Sequence, residues 1–238
     1  MKKLFTNIGQ LVQLRKTSNN LLRGAMMSDL PVLKDAWLLT ENGRIVSWGS
    51  MNTVEEITAD ESVNLQGAMV MPTFVDSHTH LVYAADRDEE FVMKIKGMDY
   101  QTIAEAGGGI LNSARKLQET SEEALLESAS LRLEEAIRQG TGAIEIKSGY
   151  GLTTEAEIKI LRVIAKLKDR SPIPIKATFL GAHAFPYEDH EKYIKAIIHE
   201  MLPQIYSEGL ADYIDVFCEE GYFSHEQMSQ ILEAGDKY

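Results

Sequence analysis

Two histidines one residue apart, His78 and His80, close the apolar run Val70-Met71-Pro72-Thr73-Phe74-Val75-Asp76-Ser77. Side chains alternate faces along a strand, so the two imidazoles point the same way and can hold one metal ion between them. The chemistry on offer is hydrolysis by a metal-bound water. His-x-His by itself is weak evidence, because two histidines on a strand are more often ordinary polar residues than ligands. The context strengthens it. The run before the pair is bulky, as in a strand buried on both faces, and C-terminal strand ends are where barrel enzymes place their chemistry.

Three further residues fall at or beyond such ends: Arg87 in the loop after the first strand, Tyr150 in Ser148-Gly149-Tyr150-Gly151 after the second, and His183 closing the third. In a β/α barrel all of these ends converge on one face, so residues distant in sequence surround one pocket. Each has a plainer reading. Arg87 sits in the charged stretch Asp86-Arg87-Asp88-Glu89-Glu90 and reads as a solvated arginine. Tyr150 between glycines reads as the cover of a turn, and His183 as a core histidine bonded to backbone. Asp76, Glu145 and Lys147 face the barrel interior if Ile144 and Ile146 take the other face, and the last two then form part of a buried polar network. Gly107-Gly108-Gly109 lacks the Lys-Ser/Thr of a phosphate loop and no strand directly precedes it, so it reads as a flexible loop.

The elements that must position these groups fall into two regions. Residues 1–69 read as a small β domain: Ala36–Thr40 and Arg44–Trp48 flank Glu41-Asn42-Gly43, a strong hairpin signal. Residues 70–238 alternate buried strands, at 70–78, 142–147, 175–182 and 213–218, with amphipathic segments, the pattern of a parallel α/β sheet or barrel. Thr120 with Glu123, Thr154 with Glu157 and Ser224 with Gln227 have capping-box spacing. A helix carries Ile194, Ile197, Ile198, Met201, Leu202 and Ile205 as a core stripe, with Pro203 expected to kink or end it.

Composition narrows the partners. The chain has 238 residues, enough for one or two domains, and a formal charge of −12 from 24 basic and 36 acidic residues, which argues against nucleic acid or an anionic membrane. A small molecule is the better partner. One cysteine, Cys218, excludes an internal disulfide framework and suits a reducing compartment, so a cytoplasmic location is expected. Met1-Lys2-Lys3-Leu4-Phe5 has the basic start of an export signal, but Thr6, Asn7, Gly9 and Gln10 interrupt any apolar segment behind it.

Taken in order, Phe74-Val75-Asp76-Ser77-His78-Thr79-His80, Asp86-Arg87 with Glu89-Glu90-Phe91, Gly107-Gly108-Gly109-Ile110, Glu145-Ile146-Lys147-Ser148-Gly149-Tyr150-Gly151 and Thr178-Phe179-Leu180-Gly181-Ala182-His183 closely resemble the imidazolonepropionases of the amidohydrolase superfamily. The resemblance runs from about residue 36 to the C-terminus. It implies an amidohydrolase-type β/α barrel and hydrolysis of 4-imidazolone-5-propanoate, a cyclic amide with a carboxylate tail, to N-formimidoyl-L-glutamate in histidine degradation. It also implies one divalent metal, zinc or iron, and a homodimer. Position by position, His78 and His80 match the first two metal ligands, and Arg87, Tyr150 and His183 match the substrate-binding residues, with His183 placed to orient the ring or stabilise an oxyanion. Thr73 stands where the family usually has glycine, which touches local backbone geometry only.

A complete barrel needs eight strand-helix units, about 250 residues, and only four candidate strands are reached here. The expectation is therefore the first half of a barrel, without the later histidine and aspartate ligands of the family. Such a chain would bind metal weakly and not turn over alone, whereas its full-length parent would. Exposed strand edges and apolar helix faces are expected with it. Two other readings fit His-x-His. One is an amidohydrolase acting on another cyclic amide or heterocycle, although Ile214–Glu219 lacks the lysine that a two-metal site takes from the fourth strand. The other is a non-catalytic half-barrel interaction module.

Overall fold

The computed structural model describes residues 1–15, 21–99, 102 and 108–238. The chain divides into two units, Met1–Thr73 and Phe74–Tyr238. In the first, β1 (Lys2–Val12) is central. It pairs antiparallel with β2 (Val32–Glu41), which pairs with β3 (Arg44–Ser50), and parallel with β4 (Glu61–Asn64) and β5 (Met69–Val70). The Lys-Lys-Leu-Phe start is therefore part of a strand. Alternation along β2 puts Ala36 and Leu38 in one apolar cluster, with Ile8 and Leu11 of β1, and Trp37 and Leu39 in another, with Leu4; the register shift between Phe5 and Ile8, where Asn7 has φ 52°, puts Leu4 and Ile8 in different clusters. Asn42 and Gly43 both have positive φ, 52° and 78°, as a two-residue hairpin turn whose twist matches the strands requires. Gly9 has no alternative, because a Cβ there would lie 2.2 Å from the Gly67 carbonyl oxygen.

The second unit is a curled parallel sheet of four strands in the order β6 (Phe74–Thr79), β7 (Thr141–Lys147), β8 (Ile175–Ala182) and β9 (Tyr213–Val216). It is half of a β/α barrel. The first barrel strand begins at Phe74, not at 70, because Met69 and Val70 hydrogen-bond into the other sheet. Nor is that strand buried on both faces: Phe74 and Val75 are exposed. β6 lies at the sheet's edge, bonded to β7 alone, so an apolar sequence there does not produce burial.

The helices are α1 (Asp88–Ile95), α2 (Ile110–Glu119), α3 (Glu122–Arg138), α4 (Thr154–Arg170), α5 (His190–Ala196), α6 (Leu202–Glu208) and α7 (His225–Gly235). Leu161, Val163 and Ile164 of α4 meet Ile146, Ala177 and Phe179 of the inner strands in one continuous core. The stripe around Ile197 is core, as expected, but Pro203 does not end the helix. A π turn over Ile197–Met201 joins α5 to α6, and Pro203 sits in the first turn of α6. The wider turn directly precedes the residue that cannot donate a backbone hydrogen bond.

Two of the three expected caps move by one residue. Ser121 and Thr153 are the N-caps of α3 and α4, accepting from the backbone N–H groups of Ala124 and Ala156. Thr120 instead closes the preceding helix by donating to the Lys116 carbonyl. Ser224 and Gln227 form the full reciprocal box. No helix among the described residues is long and apolar enough to cross a membrane.

Candidate functional site

The strand ends bring together most of what the sequence singled out. His80 packs its ring against three others: His78 at 5.6 Å between centroids, Tyr150 at 4.9 Å, and His183 at 4.9 Å in a parallel stack only 5° from coplanar. Tyr150 meets His183 edge-on at 5.4 Å. Arg87 joins them across a cavity of about 290 Å³ lined by His80, Tyr83, Asp86, Arg87, Ser113 and Tyr150.

Each group is set by its backbone. His80 lies just past β6, where Thr79 anchors the strand by donating to the Glu145 carbonyl at 2.6 Å. Its Nδ1 is buried without a hydrogen-bond partner. Burial and the neighbouring His183, His78 and Lys147 lower its pKa to about 3, so the imidazole is neutral with a free lone pair at ordinary pH. Burial also holds the His183 pKa below the usual histidine range, against the opposing pull of its bond to Gly149.

Arg87 is not simply a solvated arginine. Its Nε and Nη2 donate to Oε2 of Glu90, the first at 2.7 Å, and Oε1 of Glu90 accepts the Gly109 N–H at 2.9 Å. Burial pushes the Glu90 carboxyl up, but the bonds from Arg87 and Gly109 outweigh it and leave the pKa lowered. Gly109, with φ 85°, is the N-cap of α2. Gly109 is thus bonded to the residue that holds Arg87; of the Gly107-Gly108-Gly109 run expected as a flexible loop, Gly107 lies outside the described residues. Arg132 supports the loop before Arg87, donating to the carbonyls of Leu81 and Tyr83 and stacking 3.4 Å over the Tyr83 ring.

The Tyr150 loop is built around Glu157. That side chain is fully buried, and accepts from the N–H groups of Gly149 (2.8 Å), Gly151 (2.6 Å) and Leu152 (3.0 Å). Desolvation raises its pKa despite these donors and Ser148. A Cβ on Gly151 would sit 2.5 Å from the Glu157 nitrogen, so the close approach requires glycine. The sequence marked this glutamate only as part of a capping box. Its other signal was its place one turn into a helix that follows Gly-Tyr-Gly.

Behind the rings, Lys147 lies between Glu145 (2.7 Å) and Asp215 (3.0 Å), the buried polar network expected. Burial opposes its charge, and the two carboxylates outweigh that and raise its pKa. Asp76 lines the same concave face but is exposed. Among the described residues no group of three or more His, Cys, Asp or Glu side chains is placed to hold a metal ion.

No protein-family model matches the chain. Individual proteins do. It is 54% identical over 238 residues to an imidazolonepropionase of Flavobacterium johnsoniae, with 99% of this chain and 58% of that protein covered. It is 49% identical to one of Christiangramia forsetii, covering 100% and 59%, and 41% identical to one of Geobacillus kaustophilus, covering 99% and 58%. Among solved structures it is similar to a guanine deaminase of E. coli (TM-score 0.58, 14% identity, 100% of this chain and 50% of that one). An A. niger ochratoxinase is similar too (TM-score 0.56, 14% identity, 99% and 53%). At such identities the structures speak for the fold alone. The chain spans a little over half the length of the curated relatives it matches, and along that span it is a homologue of the imidazolonepropionases with the half-barrel of an amidohydrolase.

Proposed function

We propose that the protein carrying this chain hydrolyses the cyclic amide of 4-imidazolone-5-propanoate to N-formimidoyl-L-glutamate. The observation that supports this reading best is that Arg87, His80 and Tyr150 line one cavity and His183, from a third strand end, stacks on His80 and meets Tyr150 edge-on. An arginine beside stacked rings suits a flat heterocycle with a carboxylate tail, since guanidinium binds carboxylate through paired, charge-assisted hydrogen bonds. Glu90 aims the arginine, and the Tyr150 hydroxyl adds a further hydrogen bond. His183 contacts the ring from the His80 side. A cyclic amide without a carboxylate would leave Arg87 without that role, which places the other amidohydrolase substrates second.

His78 and His80 fit a metal centre in part: the unpartnered buried Nδ1 of His80 and the adjacent His78 ring are two imidazole donors. They would hold one divalent ion, zinc or iron, which when bound polarises a carbonyl and supplies hydroxide near neutral pH. Catalytic zinc typically has three protein ligands, so we assign two to this chain and expect weak metal binding and no turnover from it alone. Cytoplasmic location and a homodimer belong to the same proposal.

The test is a hydrolysis assay with 4-imidazolone-5-propanoate on this chain and on a version lengthened to the span of its relatives, with bound metal quantified in both. Activity and near-stoichiometric metal in the long version alone support the reading. Equal activity in the short chain defeats the missing-ligand argument, and inactivity in both defeats the substrate assignment.

A further inference from the structure

His183 is held through one ring nitrogen. Its Nδ1 lies 3.0 Å from the Gly149 carbonyl oxygen. A carbonyl oxygen only accepts, so Nδ1 carries the proton, and in a neutral imidazole the lone pair is then on Nε2. Among the described residues Nε2 has no hydrogen-bond partner. The carbonyl is itself immobilised, because the N–H of the same Gly149 donates to Oε2 of the fully buried Glu157, whose Oε1 holds Gly151 and Leu152. Gly149 has φ 113°, and a Cβ there would stand 2.9 Å from His183 Nδ1. The path from the Glu157 carboxylate to the imidazole runs through the single residue Gly149, and the carboxylate holds the chain on both sides of that carbonyl, at Gly149 N–H before it and at Gly151 and Leu152 N–H after it.

We infer that Glu157 fixes the tautomer of His183 through Gly149, so that His183 presents Nε2 as a hydrogen-bond acceptor to a ring or amide N–H of the ligand. An oxyanion needs a donor, and a ring with its proton on Nδ1 has none at Nε2. Of the two roles open to His183, orienting the ring through its N–H is the one this geometry favours. The ligand's identity as an N–H-bearing heterocycle rests on the proposed function, whereas the tautomer is a property of the chain without ligand.

The test is long-range ¹H–¹⁵N correlation of the histidine rings in ¹⁵N-labelled, metal-free chain, well above the ordinary imidazole pKa of about 6.5. The expected result for His183 is a protonated Nδ1 and an unprotonated Nε2. In Glu157→Gln the side-chain amide can accept at only one end, so either Gly149 or the Gly151–Leu152 pair loses its acceptor, and a mixture of tautomers is expected. If that variant does not fold, Glu157→Asp, which withdraws the carboxylate by one methylene, is expected to give the same mixing. A proton on Nε2 in the unmodified chain, or a folded variant with an unchanged tautomer, overturns the inference. Neither outcome depends on substrate, so failure of the hydrolysis assay and failure here are separable.

Discussion

Two strands of this sheet carry six-residue runs that match at three positions, a threonine, a phenylalanine and a closing histidine. Thr73-Phe74-Val75-Asp76-Ser77-His78 leads into β6 and Thr178-Phe179-Leu180-Gly181-Ala182-His183 runs out of β8. Their fates are opposite: Phe74 is 59% exposed and Phe179 1%. β8 has strand partners on both sides and helices over one face, whereas β6 has β7 alone. The local pattern specifies an extended segment ending in a histidine. Neighbours decide whether it is core.

The largest expected effect is at the two phenylalanines. Phe179→Ala should cost about 3–5 kcal/mol, since it opens a cavity in close-packed surroundings, whereas Phe74→Ala should stay within about 0.5 kcal/mol, as for other exposed positions. Urea denaturation of this chain measures both, and equal losses would remove the contrast.

A smaller effect is expected two residues on. The Phe179 ring lies over Gly181, where a Cβ would approach it to 2.5 Å, so Gly181→Ala should cost about 1–3 kcal/mol by overpacking. Asp76→Ala, at the matching place in β6, should be near neutral by the same assay.

The smallest effect concerns pH. Asp212 joins β8 to the start of β9: its carboxylate accepts the Ala177 N–H and pairs with Lys168 and Lys176. Burial pushes the carboxyl up, but those partners prevail and lower its pKa from 3.8 to about 2. A lowered carboxylate pKa stabilises the fold above the unfolded value, and that contribution is lost as pH falls from 3.8 through about 2. Acid unfolding monitored by circular dichroism should therefore lose part of its slope in that window in Asp212→Asn. An unchanged slope would show that this tie does not help to hold β9 against β8.

Much of the arrangement was readable in advance, and the failures have physical causes. Alternating hydrophobicity with bulky apolar runs located all four strands of the half-barrel, and Asn42-Gly43 located the hairpin, because these signals act over a few residues. The register of Ser121 against Thr120 and of Thr153 against Thr154 was not legible, since adjacent hydroxyls offer two caps and tertiary neighbours choose between them. His78, His80, Tyr150 and His183 announced themselves by type and by position at strand ends. Glu90 and Glu157 did not. Their importance comes from backbone N–H groups brought to them by glycines at distances that no spacing rule encodes.

The central claim is that these strand ends form a site for a heterocycle with a carboxylate tail, gripped by Arg87. Its most direct test is the steady-state kinetics of Arg87→Gln, in the version lengthened to the span of its relatives, with 4-imidazolone-5-propanoate. A KM raised by roughly tenfold or more with kcat largely kept is the predicted result, the pattern of lost ground-state binding. An unchanged KM would contradict the account.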